Sequence, residues 1–178
     1  LVDPGVAAHF REAVSFLRYP PDGVRGVALR TRGARLGTVG HGDVGTLNRD
    51  IVGIIQIESP SAVREADTIA AIDGVDVLFV GPADLSHSLG VPGKFENGTY
   101  LAALDTVIAA CRAHGKSPGI LLYDTAAFGP HLDRGFRFLG VGSEARSLPR
   151  ARRPRSPPRG LRCAELSATR RRSGACSP

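Results

Sequence analysis

Methionine is missing from all 178 residues, position 1 included. A complete, unprocessed reading frame begins with one, so the chain reads as a fragment. Cysteine is scarce: Cys111, Cys163 and Cys176 lack metal-type spacing, and three cannot all pair within one chain. That argues against a disulfide framework. No run approaches the ~18 uninterrupted apolar residues of a membrane span. The start, Leu1-Val-Asp-Pro-Gly5, lacks the charged-then-apolar layout of a signal peptide. Together these absences predict a cytoplasmic protein with no membrane partner. What is present, 42% apolar and 22% charged residues with 22 Gly and 13 Pro, suits one globular domain.

Charge is unevenly spread. Residues 149–178 hold nine Arg, no Lys and one acid, Glu165, a net of +8 in a chain whose total is +6. They contain no Val, Ile, Phe or Tyr and only two Leu. Such a segment buries too little surface to offset its ordering entropy. The expected organisation is therefore a domain over 1–148 and a disordered Arg/Pro-rich tail over 149–178. Three readings of the tail stay open. It is an arm contacting nucleic-acid phosphates, a solvated extension, or the out-of-frame product of a GC-rich gene. It has no aromatic residue for base stacking, which makes a nucleic-acid partner the weaker reading.

The first 148 residues alternate helix and strand patterns. Val6 to Leu17 reads as a helix with Phe10, Ala13, Val14 and Leu17 on one face. Tyr19-Pro-Pro-Asp-Gly23 ends it, and the glycine-rich stretch 33–45 reads as loop. Ile51-Val-Gly-Ile-Ile-Gln-Ile-Glu58 is a strand-length β-branched run, and Ser59-Pro60 opens a helix to about Ile72. A second strand, Val75 to Val80, leads into Gly81-Pro-Ala-Asp-Leu-Ser86 and a loop to about Gly98. Leu101, Leu104, Val107, Ile108 and Cys111 recur at helical spacing, with Gly115 as the stop. Gly119 to Tyr123 is the third strand, Thr125 to Leu132 a short helix, and Phe136 to Val141 the fourth strand.

Strict alternation means βαβ units and a parallel sheet. An open doubly wound sheet and part of a (β/α)8 barrel both fit. No GxGxxG or Walker A sequence follows any strand, which weakens nucleotide-binding readings. An intact barrel needs ~200 residues at the least, so 148 residues hold about half of one.

Two carboxylates stand out. Ile54, Gln56 and Glu58 share one face of the first strand, with Glu58 at its C-terminal end. Asp84 lies just past the C-terminal end of the next strand, ~4.8 Å away laterally. The two can converge over the rim where α/β barrels place their chemistry. Paired carboxylates repel unless a cation or shared proton compensates, and oxygen-only ligands favour a hard ion such as Mg2+ or Mn2+. Glu58 as an exposed strand end and Asp84 as a capping or turn residue with Ser86 remain open.

Gln56-Ile-Glu58, Gly74-Val-Asp76 and Phe79-Val-Gly-Pro-Ala-Asp-Leu-Ser86 resemble the HpcH/HpaI aldolase/citrate lyase family. Among its members they are most similar to the 4-hydroxy-2-oxoheptanedioate aldolase type, pyruvate-dependent class II aldolases. Tyr19-Pro-Pro-Asp-Gly-Val-Arg-Gly26, Gly115-Lys-Ser-Pro-Gly-Ile-Leu-Leu122 and Val141-Gly142 resemble further family segments, so the likeness runs from about Val6 to Leu148. The resemblance implies the C-terminal half of a TIM barrel. It also implies a divalent metal ion (Mg2+ or Mn2+, with Co2+ a third candidate) held by Glu58 and Asp84. Gln56, Ala83 through its backbone, and Asp84 would contact the substrate. The implied reaction is reversible aldol cleavage of a 4-hydroxy-2-oxo acid to pyruvate and an aldehyde, with small-molecule substrates and a homo-oligomer when complete. No Schiff-base lysine is needed; Lys94 and Lys116 both lie in loop-like sequence. Arg25 reads as a structural residue of its loop.

The departures are as informative. The family's catalytic histidine, its acidic partner and a substrate-binding arginine have no counterpart here. None of His9, His41, His87, His114 or His131 matches that histidine's motif, and His87 reads as a solvated loop residue. No catalytic base is therefore assigned. The helix expected after Glu144 is replaced by the basic segment. The competing readings are a citrate lyase-like or malyl-CoA lyase-like enzyme, and a non-catalytic remnant with a basic binding tail.

Overall fold

The computed structural model describes residues 4–142. The expected domain end near Leu148, Glu144 and the basic segment lie outside the described residues. Four parallel strands, β1 (Ile54–Ile57), β2 (Val77–Val80), β3 (Ser117–Leu122) and β4 (Phe138–Val141), form one sheet in the order β1-β2-β3-β4. Helix α1 (Pro4–Ser15) precedes the sheet. Helices α2 (Pro60–Arg64) and α3 (Ala66–Ala70) join β1 to β2, α4 (Pro82–Ser88) and α5 (Gly98–Ala113) join β2 to β3, and α6 (Phe128–Arg134) joins β3 to β4. Each strand pairs with its successor through a helical crossover, the arrangement of consecutive barrel units.

The sheet has two unlike faces. Ile55, Ile57, Leu78, Val80, Ile120 and Leu122 are buried in one cluster with Ile69, Leu104, Val107 and Cys111 of the helices. On the other face Gln56, Phe79, Gly119 and Phe138 stand in register across the four strands. Phe138 is 39% exposed and Ile54 42% exposed there. The rings of Phe79 and Phe138 meet edge to face at 5.9 Å. They do so above Gly119, where a β-carbon would come within 2.8 Å of the Phe79 ring.

Several sequence expectations are corrected. Ser59 caps its helix as expected, its hydroxyl accepting from Ala62 N–H, but that helix breaks at Glu65, whose φ of −94° and ψ of 8° leave the helical region. The segment 81–86, read as loop, is the start of α4, because Pro82 occupies a first-turn position that needs no amide donor. Ala13 is exposed, leaving Val14 as the buried anchor of α1. The stretch read as loop over 33–45 contains the 3-10 turn Arg35–Gly37 and the first half of the 3-10 helix His41–Asp50. Together with Tyr19, residues Ala34, Val44 and Leu47 form a second small core.

Candidate active site

The C-terminal ends of β1 and β2 carry the residues that the sequence singled out. Gln56 is the exposed third residue of β1, and Glu58 follows one residue after its end. Gln56 Nε2 donates to Glu58 Oε2 at 3.4 Å, so the amide leans on the carboxylate. That carboxylate lies against Gly81, where an added β-carbon would come within 2.8 Å of Oε2. Gly81 has an extended φ of −89°. Its lack of a side chain therefore serves close approach, not an unusual backbone angle.

Gly81 is also the residue ahead of α4. Its N–H donates to Ile57 O at 3.3 Å, and its carbonyl accepts from Leu85 N–H at 2.9 Å. Asp84 sits exposed in the first turn of α4, three residues on. Ala83, also exposed, precedes the first amide with an intrahelical acceptor, so its N–H is one of the orphan donors of a helix start. Buried Ser86 fixes this turn from beneath. Its hydroxyl donates to Ala83 O at 2.9 Å and accepts from Gly93 N–H at 3.1 Å.

One positioning contact had no signal in the sequence. Ser88 Oγ donates to Glu58 O at 2.9 Å across thirty residues, tying the end of α4 to the end of β1. His87 lies in the last turn of α4 and not in a loop, with its side chain exposed. Lys94 is in the loop before α5 and Lys116 in the turn before β3. Arg25 is held away from the rim: it donates to Leu17 O at 3.2 Å, and its guanidinium lies 4.8 Å from the Tyr19 ring centre. A recess of about 500 Å3 lined by Arg18, Asp22, Asn48, Arg49, Ile51 and Asp76 opens elsewhere, beside the N-terminal start of β2.

Does this donor set fit a cation? Among the described residues no three His, Cys, Asp or Glu side chains gather in one place. A cation at the rim would therefore rely on Glu58 and Asp84. Two carboxylates with water and substrate oxygens filling the other positions is the donor set a Mg2+-like ion accepts. The Gly81 cradle, emptied of a β-carbon, leaves the Glu58 carboxylate in place against the turn that carries Asp84. The residues present fit such an ion.

Two buried groups near this half of the fold have shifted ionisation. Burial pushes the Tyr100 hydroxyl up from 10.0 to about 12, with neighbouring Tyr123 adding to the effect and Arg134 opposing it. Burial pushes the Cys111 thiol up from 9.0 to about 11, opposed by its backbone contact to Leu78. Neither belongs to the rim. No helix among the described residues is long and apolar enough to cross a membrane.

The 5-keto-4-deoxy-D-glucarate aldolase of Klebsiella pneumoniae is 39% identical over 133 residues, which are 75% of this chain and 52% of that protein. The enzyme of the same name from Salmonella paratyphi C is 41% identical over 132 residues, 74% of this chain and 51% of that one. The chain thus spans about half the length of the curated relatives it matches. They are named for glucarate chemistry and not for the heptanedioate subtype that the motifs resemble.

Among solved structures, an HpcH/HpaI aldolase/citrate lyase family protein from Burkholderia cenocepacia J2315 superposes with a TM-score of 0.70 at 36% identity. That match covers 96% of this chain and 60% of the other. The HpcH/HpaI aldolase of Desulfitobacterium hafniense DCB-2 gives a TM-score of 0.70 at 30% identity, covering 79% of this chain and 55% of that one. These neighbours are barrel-type aldolases, which decides between the two parallel-sheet folds in favour of the barrel. The family profile itself matches residues 5–151. By sequence and by fold, this chain belongs to the HpcH/HpaI aldolase/citrate lyase family.

Proposed function

We propose that this chain supplies the cation- and pyruvate-binding rim of a divalent-metal-dependent aldolase acting on a 4-hydroxy-2-oxo acid. The observation that carries the reading is the Glu58 carboxylate lodged against Gly81, on the turn that presents Ala83 and Asp84. Family membership supports the lyase class, and the substrate for which the relatives are named supports the bond that is cut. Numbered from its other carboxylate, 5-keto-4-deoxy-glucarate is a 2-oxo acid with a methylene next to the ketone and a hydroxyl one carbon further. Cleavage between those two carbons gives pyruvate and a three-carbon hydroxy-aldehyde acid. Both this diacid and the heptanedioate substrate of the resembled subtype share that reacting unit, so the distal carboxylate and its spacing are the finer question.

A bound divalent ion supplies Lewis-acid polarisation of the substrate's 2-oxo group. The chain's own residues hold and orient. Glu58 and Asp84 provide negative charge on one side of the site, and Gln56 restrains the Glu58 carboxylate through its amide. The Ala83 N–H offers a neutral donor to an oxygen of the pyruvate portion, at a place where the backbone is unencumbered. Cleavage breaks the carbon–carbon bond as the hydroxyl loses its proton, and the electron pair ends on the carbon that becomes pyruvate's methyl after protonation. The base for that hydroxyl is not assigned to any of the described residues.

Calorimetric titration with Mn2+ tests the reading. Glu58→Gln and Asp84→Asn each remove one of two protein ligands, and each should weaken binding at least about tenfold. Unchanged affinity in both variants overturns the assignment. Pyruvate release from 5-keto-4-deoxy-D-glucarate, measured beside thioester cleavage of an acyl-CoA, separates the aldolase from the citrate lyase-like reading.

A further inference from the structure

Helix α4 grips the end of β1 at both of its own ends. At its start, Gly81 N–H donates to Ile57 O at 3.3 Å. The place of the missing Gly81 β-carbon lies 2.8 Å from Glu58 Oε2 and 3.5 Å from Glu58 Cβ. At its finish, Ser88 Oγ donates to Glu58 O at 2.9 Å. Two consecutive carbonyls are thus held from opposite ends of one short helix. On the far side of Glu58 the chain is fixed as well, because Ser59 caps α2 and Pro60 opens it.

The spacing along α4 gives this grip a purpose. Gly81, Asp84 and Ser88 stand at i, i+3 and i+7, the positions that share one stripe of a helix. Asp84 therefore lies between the two points at which that stripe is fastened to Glu58. The Ser88 hydroxyl also approaches Leu85 O at 3.1 Å, the local bond that a serine near a helix end commonly makes. It has a single proton to give, and the Glu58 carbonyl is the nearer acceptor. A bond to Leu85 alone would leave Glu58 untouched.

We propose that Ser88 is a positioning residue for the rim. By tying the Glu58 main chain to the stripe that carries Asp84, it fixes the spacing of the two carboxylates and so favours a small, strictly octahedral ion over a larger one. The inference rests on the cation reading of Glu58 and Asp84 given above. Mg2+ demands near-ideal geometry at ~2.0–2.1 Å, whereas Ca2+ accepts irregular shells at ~2.3–2.6 Å. A carboxylate free to drift by a few tenths of an ångström still serves Ca2+ but serves Mg2+ poorly. Ser88 does this without touching the ion.

Calorimetric titration of the full chain with Mg2+ and with Ca2+ tests it. Ser88→Ala should weaken Mg2+ binding about fivefold, the worth of one hydrogen bond, and Ca2+ binding less than about twofold. Ser88→Thr keeps the hydroxyl at an exposed position and should restore the parent's preference for Mg2+. The melting temperature without metal should stay within a few degrees in both variants; in Ser88→Ala the better helix propensity of alanine offsets the lost bond. Equal weakening of both ions, an unchanged Mg2+ affinity, or a threonine that fails to restore the preference overturns the proposal. Glu58→Gln separates its failure from that of the rim. If Glu58→Gln leaves Mg2+ affinity unchanged, the rim assignment falls and the role of Ser88 falls with it. If Glu58→Gln weakens Mg2+ while Ser88→Ala does not, the rim stands and the role of Ser88 alone is refuted.

Discussion

Adding one methyl group at Gly81 should separate cation binding from folding. In Gly81→Ala the new β-carbon would lie 2.8 Å from Glu58 Oε2. Favourable carbon–oxygen contacts begin at roughly 3.3 Å, so the carboxylate must retreat by about half an ångström or turn to another rotamer. The backbone has no reason to move: Gly81 holds φ −89° and ψ 97°, angles that alanine adopts freely. The obstacle is the far end of a flexible side chain, so the expected stability cost is below about 1 kcal/mol. For the ion the same half ångström is severe, because metal–oxygen distances hold to about 0.2 Å. Mn2+ affinity should fall about tenfold or more while the thermal midpoint without metal stays within a few degrees of the parent. Calorimetry and a thermal melt on the same preparation suffice. A variant that binds Mn2+ as the parent does would show that the Glu58 carboxylate at Gly81 is not a ligand. A large loss of melting temperature with unchanged metal affinity would assign Gly81 a purely structural role.

Other expectations follow from the same structure. Tyr100 and Cys111 have folded pKa values near 12 and 11 against unfolded values of 10.0 and 9.0. The stability they contribute is complete below about pH 9 and is lost as the pH rises through the folded values. At about 1.4 kcal/mol per pKa unit this amounts to roughly 3 kcal/mol for each group; urea melts from pH 8 to 11 should decline, and the Tyr100→Phe, Cys111→Ala variant should lose most of that slope. Asn48 accepts from Tyr19 N–H at 2.7 Å and donates to Tyr19 O and Asp22 Oδ2, each at 2.9 Å. Asn48→Ala strands buried backbone groups and should cost about 2–4 kcal/mol by chemical denaturation, and Asn48→Asp, which keeps the acceptor but sets a carboxylate oxygen against Asp22 Oδ2 and Tyr19 O, should cost at least as much. Oxaloacetate decarboxylation needs a chelated cation but no base for a hydroxyl. The chain should catalyse it above the free-ion background, with aldol cleavage lower by about 10²–10⁴-fold; equal competence in both reactions would place a base on this chain.

The strands were legible because Ile51–Glu58 and Val75–Val80 are β-branched runs that few other structures use. Their parallel pairing followed from alternation with helices, while their order was left open between the two parallel-sheet folds. Glu58 and Asp84 could be placed at strand ends for the same reason, since position along a strand is a property of sequence. Helix α4 was hidden because Gly-Pro, Asp and Ser are turn residues as well as helix-start residues, and only burial of Leu85 and Ser86 beneath them decides. The break at Glu65 depends on how α3 seats against α5, a contact between segments far apart in the chain. The same holds for the Ser88 hydroxyl on the Glu58 carbonyl and for the two phenylalanines meeting over Gly119. Each requires the register between strands, which no local pattern encodes.

The strand order also dictates where the molecule gives way. β1, β2, β3 and β4 are added one after another, and among the described residues no strand returns to brace an earlier one. Each pairing therefore joins neighbouring units of the chain across a helical crossover. The cost falls on the last strand. Among the described residues β4 has β3 as its single strand neighbour, with no fully buried residue along its length. Its supporting helix α6 is fastened to α5 through Arg134, bidentate on Asp105 at 2.9 and 2.8 Å. Native-state hydrogen exchange should thus release β4 and α6 together, well before β2, whose Leu78 and Val80 are wholly enclosed. The opening of this protein would proceed as a peeling from the β4 side, the side away from the Glu58–Asp84 rim.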